Sequence, residues 1–235
     1  MQLKSFLAGQ PIDSYATLRV RNPYSGGPVG SATLVDLTHT HAAIAAARQW
    51  HETSAGSFSR FQRHQILDQA RLLLEQRREE FAQIMTAESG LCLRDTRYEA
   101  SRACDVFRLA ANEALRDDGQ IFSCDISPQG KPRKIFTVRE PLPCAVAITP
   151  FNHPLNQGAH KLAPAIAAGT PVILMPSEKT PLTALKLAAL LYEAGLPGPL
   201  LSVLLGTIPN VAEILVRDER SEEHTSELQS RGLIS

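Results

Sequence analysis

The sequence predicts an α/β fold, a parallel sheet with flanking helices and a protruding β-ribbon. Residues 143–216 alternate between short apolar runs and longer helical segments, in the order strand, helix, strand, helix, strand, helix. Such alternation is typical of a parallel sheet whose faces are covered by helices, here a Rossmann-like one. In residues 120–140 the apolar period changes to two, which predicts the separate ribbon.

Prolines bound the first predicted strand and the loop after it. Residues 143–149 are an apolar run that Pro150 stops, as expected of a buried strand. Pro150 and Pro154 fix φ at both ends of the next loop and hold the polar pair between them in a stiff segment. A helix over 155–168 follows and ends at Gly169, a usual helix-ending residue.

Further strands and helices follow at similar spacing. Residues 171–175 predict the second strand, and Thr180 caps a helix over 181–194 that has a proline in its first turn. Residues 200–205 predict a third strand, and residues 208–216 a short helix. Because parallel strands end at a common edge, the polar residues that follow them are expected to meet there.

The N-terminal part is predicted as a hairpin followed by helices. One arm of the hairpin is 12–20, with its turn at 22–27. The helices are predicted at 38–49 (capped by a threonine), from Ser59 onwards, at 81–88 (ending at 89–90) and at 96–115. Helical spacing predicts two buried faces, formed by Ile66, Leu67, Ala70, Leu73 and Leu74, and by Ala100, Ala103, Phe107, Ala110 and Ala114.

The predicted ribbon pairs residues 121–126 with 134–138 around a loop at 127–132. A two-stranded ribbon is marginally stable alone in water, so we expect it to pair with a partner subunit.

Composition bounds the class of protein. A chain of 235 residues with 43% hydrophobic content can bury a core of one domain or somewhat more. Its 24 acidic and 24 basic residues balance, and the sequence contains no basic stripe that would bind nucleic acid. No apolar run approaches the ~20 residues that span a bilayer, and the opening residues lack the core of a signal peptide. A soluble cytoplasmic protein without membrane or nucleic-acid partners is therefore expected.

The cysteines and the C-terminal residues carry two further expectations. Reduced and individually buried thiols, rather than a disulfide frame or a metal site, are expected for Cys92, Cys104, Cys124 and Cys144. Residues 221–235 are polar and aperiodic, and they resemble translated sequencing-adapter sequence. We expect no further strand after 216–218 and a non-native or disordered tail over 221–235.

Several short motifs occur in a fixed order along the chain. They are Asn-Pro at 22–23, Glu-Ser-Gly at 88–90, Glu-Pro-Leu at 140–142, Thr-Pro-Phe-Asn at 149–152, Lys-Leu-Ala-Pro-Ala at 161–165, Pro-Ser-Glu-Lys-Thr-Pro at 176–181 and Glu-Ala-Gly-Leu-Pro at 193–197. Together they resemble the aldehyde dehydrogenase superfamily, over roughly residues 10–220 and the first half of a full-length enzyme.

The resemblance implies a division of the chain. Residues 1–119 are expected as the N-terminal helical part of the cofactor-binding domain and 120–140 as the oligomerisation ribbon of a homodimer or tetramer. Residues 141–220 are expected as the Rossmann-like part that binds NAD or NADP.

A narrower resemblance is to phosphonoacetaldehyde dehydrogenases, through motifs at 88–92, 114–120, 122–125 and 151–154. It implies oxidation of phosphonoacetaldehyde to phosphonoacetate through a thiohemiacetal. Another small aldehyde (sulfoacetaldehyde, a semialdehyde or lactaldehyde) stays open, as does a non-catalytic fragment that binds nucleotide or a full-length homologue.

The resemblance assigns Asn152 as hydrogen-bond donor to the oxyanion of that intermediate. From the residues alone, Asn152 could equally cap the following helix. The nucleophilic cysteine and general-base glutamate of the family would lie beyond residue 220, so the fragment is expected to be inactive. Cys124 follows a Gly-Gln that is similar to the family's nucleophile motif, but its spacing is wrong and we expect a structural role.

The resemblance also implies cofactor and substrate residues. The cofactor set is Thr149, Pro150, Phe151, Met175, Ser177 and Glu178. A carboxylate after a strand can bind ribose hydroxyls, although Glu178 could instead complement a helix dipole. Met175 replaces the family's usual lysine, so NAD and NADP are not distinguished.

For the substrate, the resemblance implies that Arg102 and His153 bind the phosphonate, which suits a guanidinium and an imidazole. From the residues alone, Arg102 could instead pair with Glu99 or Asp105 on its own helix.

Overall fold

The structure, a computed structural model, describes residues 1–14, 16–116, 119–219 and the backbone of 222–223. Its strands are β1 (Gln2–Leu3), β2 (Phe6–Leu7), β3 (Gln10–Pro11), β4 (Thr17–Arg21), β5 (Pro28–Thr33), β6 (Ile121–Phe122), β7 (Ile135–Phe136), β8 (Ala145–Ile148), β9 (Val172–Met175), β10 (Leu201–Val203) and β11 (Glu222–Glu223). Its α-helices are α1 (Leu37–Ser54), α2 (Arg60–Gln76), α3 (Arg78–Ser89), α4 (Leu93–Ala114), α5 (Pro154–Ala168), α6 (Pro181–Glu193) and α7 (Glu213–Arg217). A π-helical turn, Ile208–Ala212, precedes α7.

The predicted parallel sheet is confirmed. β8 and β10 lie on either side of β9, and both pair with it in parallel. Ala145 lies opposite Val172 and Ile148 opposite Met175, so β8 and β9 end level with each other. β2 and β3 extend the sheet antiparallel beyond β10, and the strand order is β11-β8-β9-β10-β2-β3. The sheet is therefore mixed, with its antiparallel strands at one edge.

Apolar side chains of these strands alternate between two buried clusters, one on each face of the sheet. Val146 and Ile173 belong to a cluster that includes residues of α1 and α7. Ala147 and Leu174 belong to a larger cluster that also contains residues of α2 through α6. Burial on both faces explains why these strands are continuous apolar runs in the sequence. All the residues predicted for the buried faces of α2 and α4 are buried.

Most predicted helix ends and turns are confirmed. Gly90, Gly169 and Gly195 have positive φ directly after, or one residue beyond, helical segments, a conformation that glycine adopts without steric cost. Ser59 opens α2 with a capping box to Gln62. Strands β4 and β5 form the predicted antiparallel hairpin around the turn at 22–27.

Two predicted threonine caps are wrong. Helix α1 begins before Thr38, and the Asp36 carboxylate accepts the His39 backbone N–H at 3.1 Å. Thr180 does precede α6, but its side chain makes no cap bond. Its hydroxyl donates to the Phe151 carbonyl at 3.5 Å instead.

The predicted ribbon is present but short. β6 and β7 pair antiparallel, Ile121 with Phe136 and Phe122 with Ile135. Its side chains stay out of the core, and Ile121 is 89% exposed.

Two expectations about the chain's periphery are corrected. A further strand does follow α7: β11 pairs in parallel with Ala145 and Val146 of β8, because backbone pairing at a sheet edge needs no apolar pattern. The rest of the predicted tail, 221 and 224–235, lies outside the described residues. The cysteines are free thiols as expected, but only Cys144 is buried, since Cys104 and Cys124 are half-buried and Cys92 is exposed. Within the described ranges, no helix combines the length and apolarity that crossing a membrane requires.

Candidate functional site

The candidate site lies where β8 and β9 end. Two loops, 149–153 and 176–180, leave these strands at the same edge of the sheet, and together they are called the rim below. The Thr149 backbone N–H donates to the Met175 carbonyl at 3.1 Å, which continues the strand pairing into the rim. Asn152 and Glu178 therefore follow neighbouring parallel strands, and their predicted placement along one edge is confirmed.

The two loops of the rim also contact each other through side chains. The Lys179 ammonium lies 4.3 Å from the centre of the Phe151 ring, within the range of a cation–π interaction. The Thr180 hydroxyl reaches the Phe151 carbonyl from the same loop. Sequence reasoning did not assign these contacts to Lys179 or Thr180, because nothing in a one-dimensional pattern pairs residues of different loops.

Asn152 is exposed on the rim, and the helix-cap alternative for it is not supported. His153, not Asn152, is the residue that directly precedes α5. The backbone N–H groups of Leu155 and Asn156, in the first turn of α5, both donate to Glu99 Oε1 at 2.9 Å. The cap of α5 is thus supplied by a carboxylate from α4, and the Asn152 amide is left at the rim.

Glu99 was missed as a site residue by the sequence reasoning. It is only 4% exposed, and its second oxygen, Oε2, lies 3.2 Å from His153 Nδ1. The available signal was an acidic residue next to Ala100 on the apolar face of α4, a position where an acid requires partners.

Arg102 lies one helical turn after Glu99 on α4, and is exposed. Its guanidinium carbon is 6.0 Å from the centre of the Tyr98 ring. The two acids that could have paired with it are engaged elsewhere, since Glu99 binds α5 and His153, and Asp105 binds Arg108 at 3.2 Å. Because residues three apart are neighbours on a helix surface, Arg102 lies next to Glu99 on α4. The carboxylate of Glu99 in turn contacts His153.

Glu88 caps α6 in the way that Glu99 caps α5. It is 2% exposed; its Oε2 accepts the Leu182 N–H at 2.8 Å and its Oε1 the Thr183 N–H at 2.9 Å, and the Thr183 hydroxyl also bonds Oε1. Burial raises the pKa of Glu88 to about 7, although these hydrogen bonds oppose the rise. The first turn of α6 therefore does not depend on Glu178, which is exposed on the rim.

These two carboxylates limit where the phosphates of a dinucleotide can bind. In many Rossmann-like folds a helix N-terminus binds the pyrophosphate. Here the N-termini of α5 and α6 already bind Glu99 and Glu88. The exposed carboxylate of Glu178 fits ribose hydroxyls, whereas Met175 is half-buried against the cluster of Val146 and Ile173 and offers no donor. The residues of the rim thus fit the ribose end of a dinucleotide.

The four cysteines all lie among the described residues, and none lies on the rim. Cys144 precedes β8, at the opposite end of the strand, and burial raises its pKa to about 12. Burial also raises the pKa of Cys104, on α4, to about 11. Such thiols stay protonated at neutral pH and are poor nucleophiles. Cys124 lies next to the ribbon, where its thiol is 3.5 Å from the Phe122 carbonyl.

A cavity of about 530 Å³ lies away from the rim, at the opposite end of α5. Arg63, His160 and Ala167 are among its lining residues. Arg63 donates to the Ala167 carbonyl at 3.0 Å and so satisfies the last turn of α5, which is a structural role.

This chain is similar in sequence to known proteins. A model described as "Aldehyde dehydrogenase family" matches residues 11–223. The chain is 38% identical over 202 residues to 3-sulfolactaldehyde dehydrogenase of Priestia megaterium, which covers 86% of this chain and 42% of that protein.

Solved structures agree with this match. Aldehyde dehydrogenase 21 of Physcomitrella patens, in complex with its reaction product succinate, superposes with a TM-score of 0.89 at 33% identity, covering 94% of this chain and 46% of that one. The NADP complex of an NADP-dependent glyceraldehyde-3-phosphate dehydrogenase from Bacillus halodurans also has a TM-score of 0.89, at 27% identity, covering 94% and 47%. The chain spans less than half the length of these relatives.

Proposed function

This chain belongs to the aldehyde dehydrogenase family, and we propose that it supplies the cofactor-side rim of an enzyme that oxidises a small aldehyde to a carboxylate with NAD or NADP. The observation that carries the proposal is the parallel pairing of β8 and β9, which brings the loops of Asn152 and Glu178 together. The activity belongs to the whole protein, of whose relatives this chain spans less than half.

Asn152 is the proposed oxyanion donor. When a thiolate attacks an aldehyde carbonyl, the thiohemiacetal oxygen becomes negatively charged and needs a preorganised donor. The Asn152 side-chain amide can donate, it is exposed at the rim, and prolines on both sides of its loop restrict the backbone. None of the four thiols of this chain lies on the rim, so none is the proposed nucleophile. Burial also raises the pKa of Cys104 and of Cys144.

The proposed cofactor residues are Thr149, Pro150, Phe151, Met175, Ser177 and Glu178. A bound nicotinamide cofactor accepts the hydride in this chemistry. In this chain, Glu178 would accept hydrogen bonds from ribose hydroxyls, while the loop 149–151 would form the neighbouring wall. Met175 adds only an apolar contact, so the proposal leaves the choice between NAD and NADP to measurement.

The proposed substrate class is a small aldehyde with an anionic group, bound by Arg102 and His153. A phosphonate or sulfonate is best held by a guanidinium and an imidazole that donate hydrogen bonds. Within this class we propose phosphonoacetaldehyde, and 3-sulfolactaldehyde is the second candidate because a dehydrogenase for it shares 38% identity with this chain. A semialdehyde is the third candidate, since the similar Physcomitrella structure contains succinate.

The exposed ribbon supports a further proposal, that the intact protein is a homo-oligomer joined through 120–140. The apolar side chain of Ile121 is almost fully exposed, and the ribbon that carries it has only two strands. Such a ribbon is stabilised when its strands pair with those of another chain.

The test is an assay of the intact gene product with these three anionic aldehydes and with uncharged propanal, each with NAD and with NADP. Reduced nicotinamide should form fastest with an anionic aldehyde. Replacing Arg102 with alanine should raise KM for the anionic substrate about 10- to 100-fold, since a hydrogen bond to a charged group contributes about 1.5–3 kcal/mol.

The matched control is Arg108→Ala, which removes an exposed arginine from the same helix. It should change neither substrate's KM, and propanal kinetics should be unaffected by Arg102→Ala. An equal loss on both substrates would reject the substrate assignment, and no oxidation of any aldehyde would reject the proposed function.

A further inference from the structure

Glu99 divides its two carboxylate oxygens between two tasks. Oε1 accepts both backbone N–H groups of the first turn of α5, at 2.9 Å from Leu155 and 2.9 Å from Asn156. Oε2 is left for His153 Nδ1, at 3.2 Å. The side chain of Glu99 is 4% exposed and that of His153 is 56% exposed, so the imidazole is held by one edge and open on the other.

From this division we infer that Glu99 is a positioning residue that fixes the tautomer of His153, with the proton on Nδ1 and Nε2 alone presented at the rim. Only the consequence of this tautomer for substrate binding rests on the proposed function. The tautomer itself is a property of this chain without substrate.

The chemistry of the carboxylate dictates the assignment. An ionised carboxylate only accepts hydrogen bonds, so the nitrogen of a neutral imidazole that faces it must be the one that carries the proton. The proton on Nδ1 leaves Nε2 as an acceptor in the neutral ring. Nε2 becomes a donor to an anionic group only when the ring is protonated, and Glu99 then provides the compensating negative charge on the other side of the ring.

The surroundings keep both partners in place. Glu99 is carried by α4, whose neighbouring residues Ala100 and Ala103 are fully buried in the larger core cluster. His153 directly precedes α5, and Pro154 occupies the first position of that helix. Because the acid also bonds the helix that follows His153, a movement of the imidazole away from Glu99 is opposed by the α5 cap.

Glu88 provides an internal comparison. It is equally buried and caps α6, but its two oxygens accept from two different backbone groups, Leu182 N–H at Oε2 and Thr183 N–H at Oε1. Glu88 has no histidine among its hydrogen-bond partners in the described part of the chain. The oxygen left over by the α5 cap is therefore what distinguishes Glu99.

The decisive substitution is Glu99→Gln. Glutamine can keep both α5 bonds through its single carbonyl oxygen, because both donors already use the same oxygen. Its NH₂ group then takes the place of Oε2 and donates to Nδ1 of His153. A neutral imidazole that accepts at Nδ1 must carry its proton on Nε2, so the tautomer should be inverted while the helix cap is retained.

The measurement is a long-range ¹H–¹⁵N spectrum of the histidine rings in the ¹⁵N-labelled 235-residue chain, at a pH where these rings are neutral. The His153 signals are identified by their loss in His153→Gln. We expect the Nδ1–H pattern in the wild type, the Nε2–H pattern in Glu99→Gln and an unchanged Nδ1–H pattern in the control Glu88→Gln.

An Nε2–H pattern for His153 in the wild type would overturn the inference without the Glu99→Gln variant, so the inference can be refuted even if Glu99→Gln does not fold. An unchanged tautomer in folded Glu99→Gln would also overturn it. Since no substrate is present, these outcomes are independent of whether the intact protein oxidises an aldehyde.

Discussion

The two buried carboxylates that cap α5 and α6 should respond differently to the same substitution. Glu99 serves two backbone donors with one oxygen, whereas Glu88 serves two backbone donors with two oxygens. Glutamine has only one acceptor oxygen, and its NH₂ group cannot accept. Glu99→Gln can therefore satisfy both α5 donors, while Glu88→Gln must leave either the Leu182 or the Thr183 N–H facing an NH₂ group.

The magnitude follows from that orphaned donor. A buried donor left without a partner costs about 1–3 kcal/mol of stability. In a domain of this size, each 1 kcal/mol lowers the melting temperature by roughly 2–4 °C. With about 2 kcal/mol for the orphaned donor, Glu88→Gln should melt about 4–8 °C below Glu99→Gln.

The assay is thermal unfolding of the 235-residue chain at pH 4, below the usual glutamate pKa of 4.5, where Glu88 is mainly protonated in both the folded and the unfolded state and its ionisation stays out of the comparison. The single tryptophan, Trp50, is a suitable fluorescence reporter because its ring packs edge-on against Phe58 with centroids 6.2 Å apart.

The control is Glu79→Gln, which removes only an exposed ion pair with Arg97 and should leave the midpoint nearly unchanged. Equal midpoints for Glu88→Gln and Glu99→Gln, or a lower one for Glu99→Gln, would refute the reasoning.

Three further predictions concern pH, catalysis and the cofactor. Burial raises the pKa of Glu88 from 4.5 to about 7, so between these pH values the folded state holds a proton that the unfolded state has lost. The free energy of unfolding should therefore fall by about 3 kcal/mol as pH rises through this interval. Urea titrations at several pH values should show this loss in the wild type but not in Glu88→Gln, and the same pH dependence of the unfolding free energy in both forms would contradict it. Replacing Asn152 with alanine should lower turnover of the intact enzyme by about 100-fold or more, whereas the exposed helical amide variant Asn112→Ala should not, and near-normal turnover in Asn152→Ala would remove the oxyanion role. Met175→Lys should raise cofactor affinity about 10-fold by adding a charged donor; calorimetric titration of NAD and NADP against both forms checks this, and unchanged affinity would show the lysine to be dispensable.

The parallel core was predictable because its signals are local. Prolines and glycines mark the ends of β8, α5 and α6, and they act through the φ angles of single residues. Burial of both sheet faces makes the strands continuous apolar runs. The common edge of Asn152 and Glu178 then follows from topology alone, since neighbouring parallel strands end on the same side.

The helix caps were not predictable in the same way, because they come from distant residues. Glu88 bonds backbone groups 94 and 95 residues later in the chain, and Glu99 bonds groups 56 and 57 residues later. Local rules assigned the α6 cap to Thr180, whose hydroxyl instead bonds the Phe151 carbonyl. A residue's capping potential is local, but its partner is decided by tertiary packing.

The pairing of β11 was missed for a related reason. Residues 222–223 are both glutamate, which gives no strand pattern, yet their backbone can pair with the free edge of β8. Edge pairing depends on backbone groups that every sequence offers.

The central claim, that the rim forms the ribose side of a dinucleotide site, is tested most directly by backbone amide chemical-shift mapping of NAD and NADP on the ¹⁵N-labelled chain. The account predicts concentration-dependent shifts in the loops 149–153 and 176–180, with the cavity around Arg63 unaffected. Shifts confined to residues outside the rim, or none at millimolar cofactor, would contradict it.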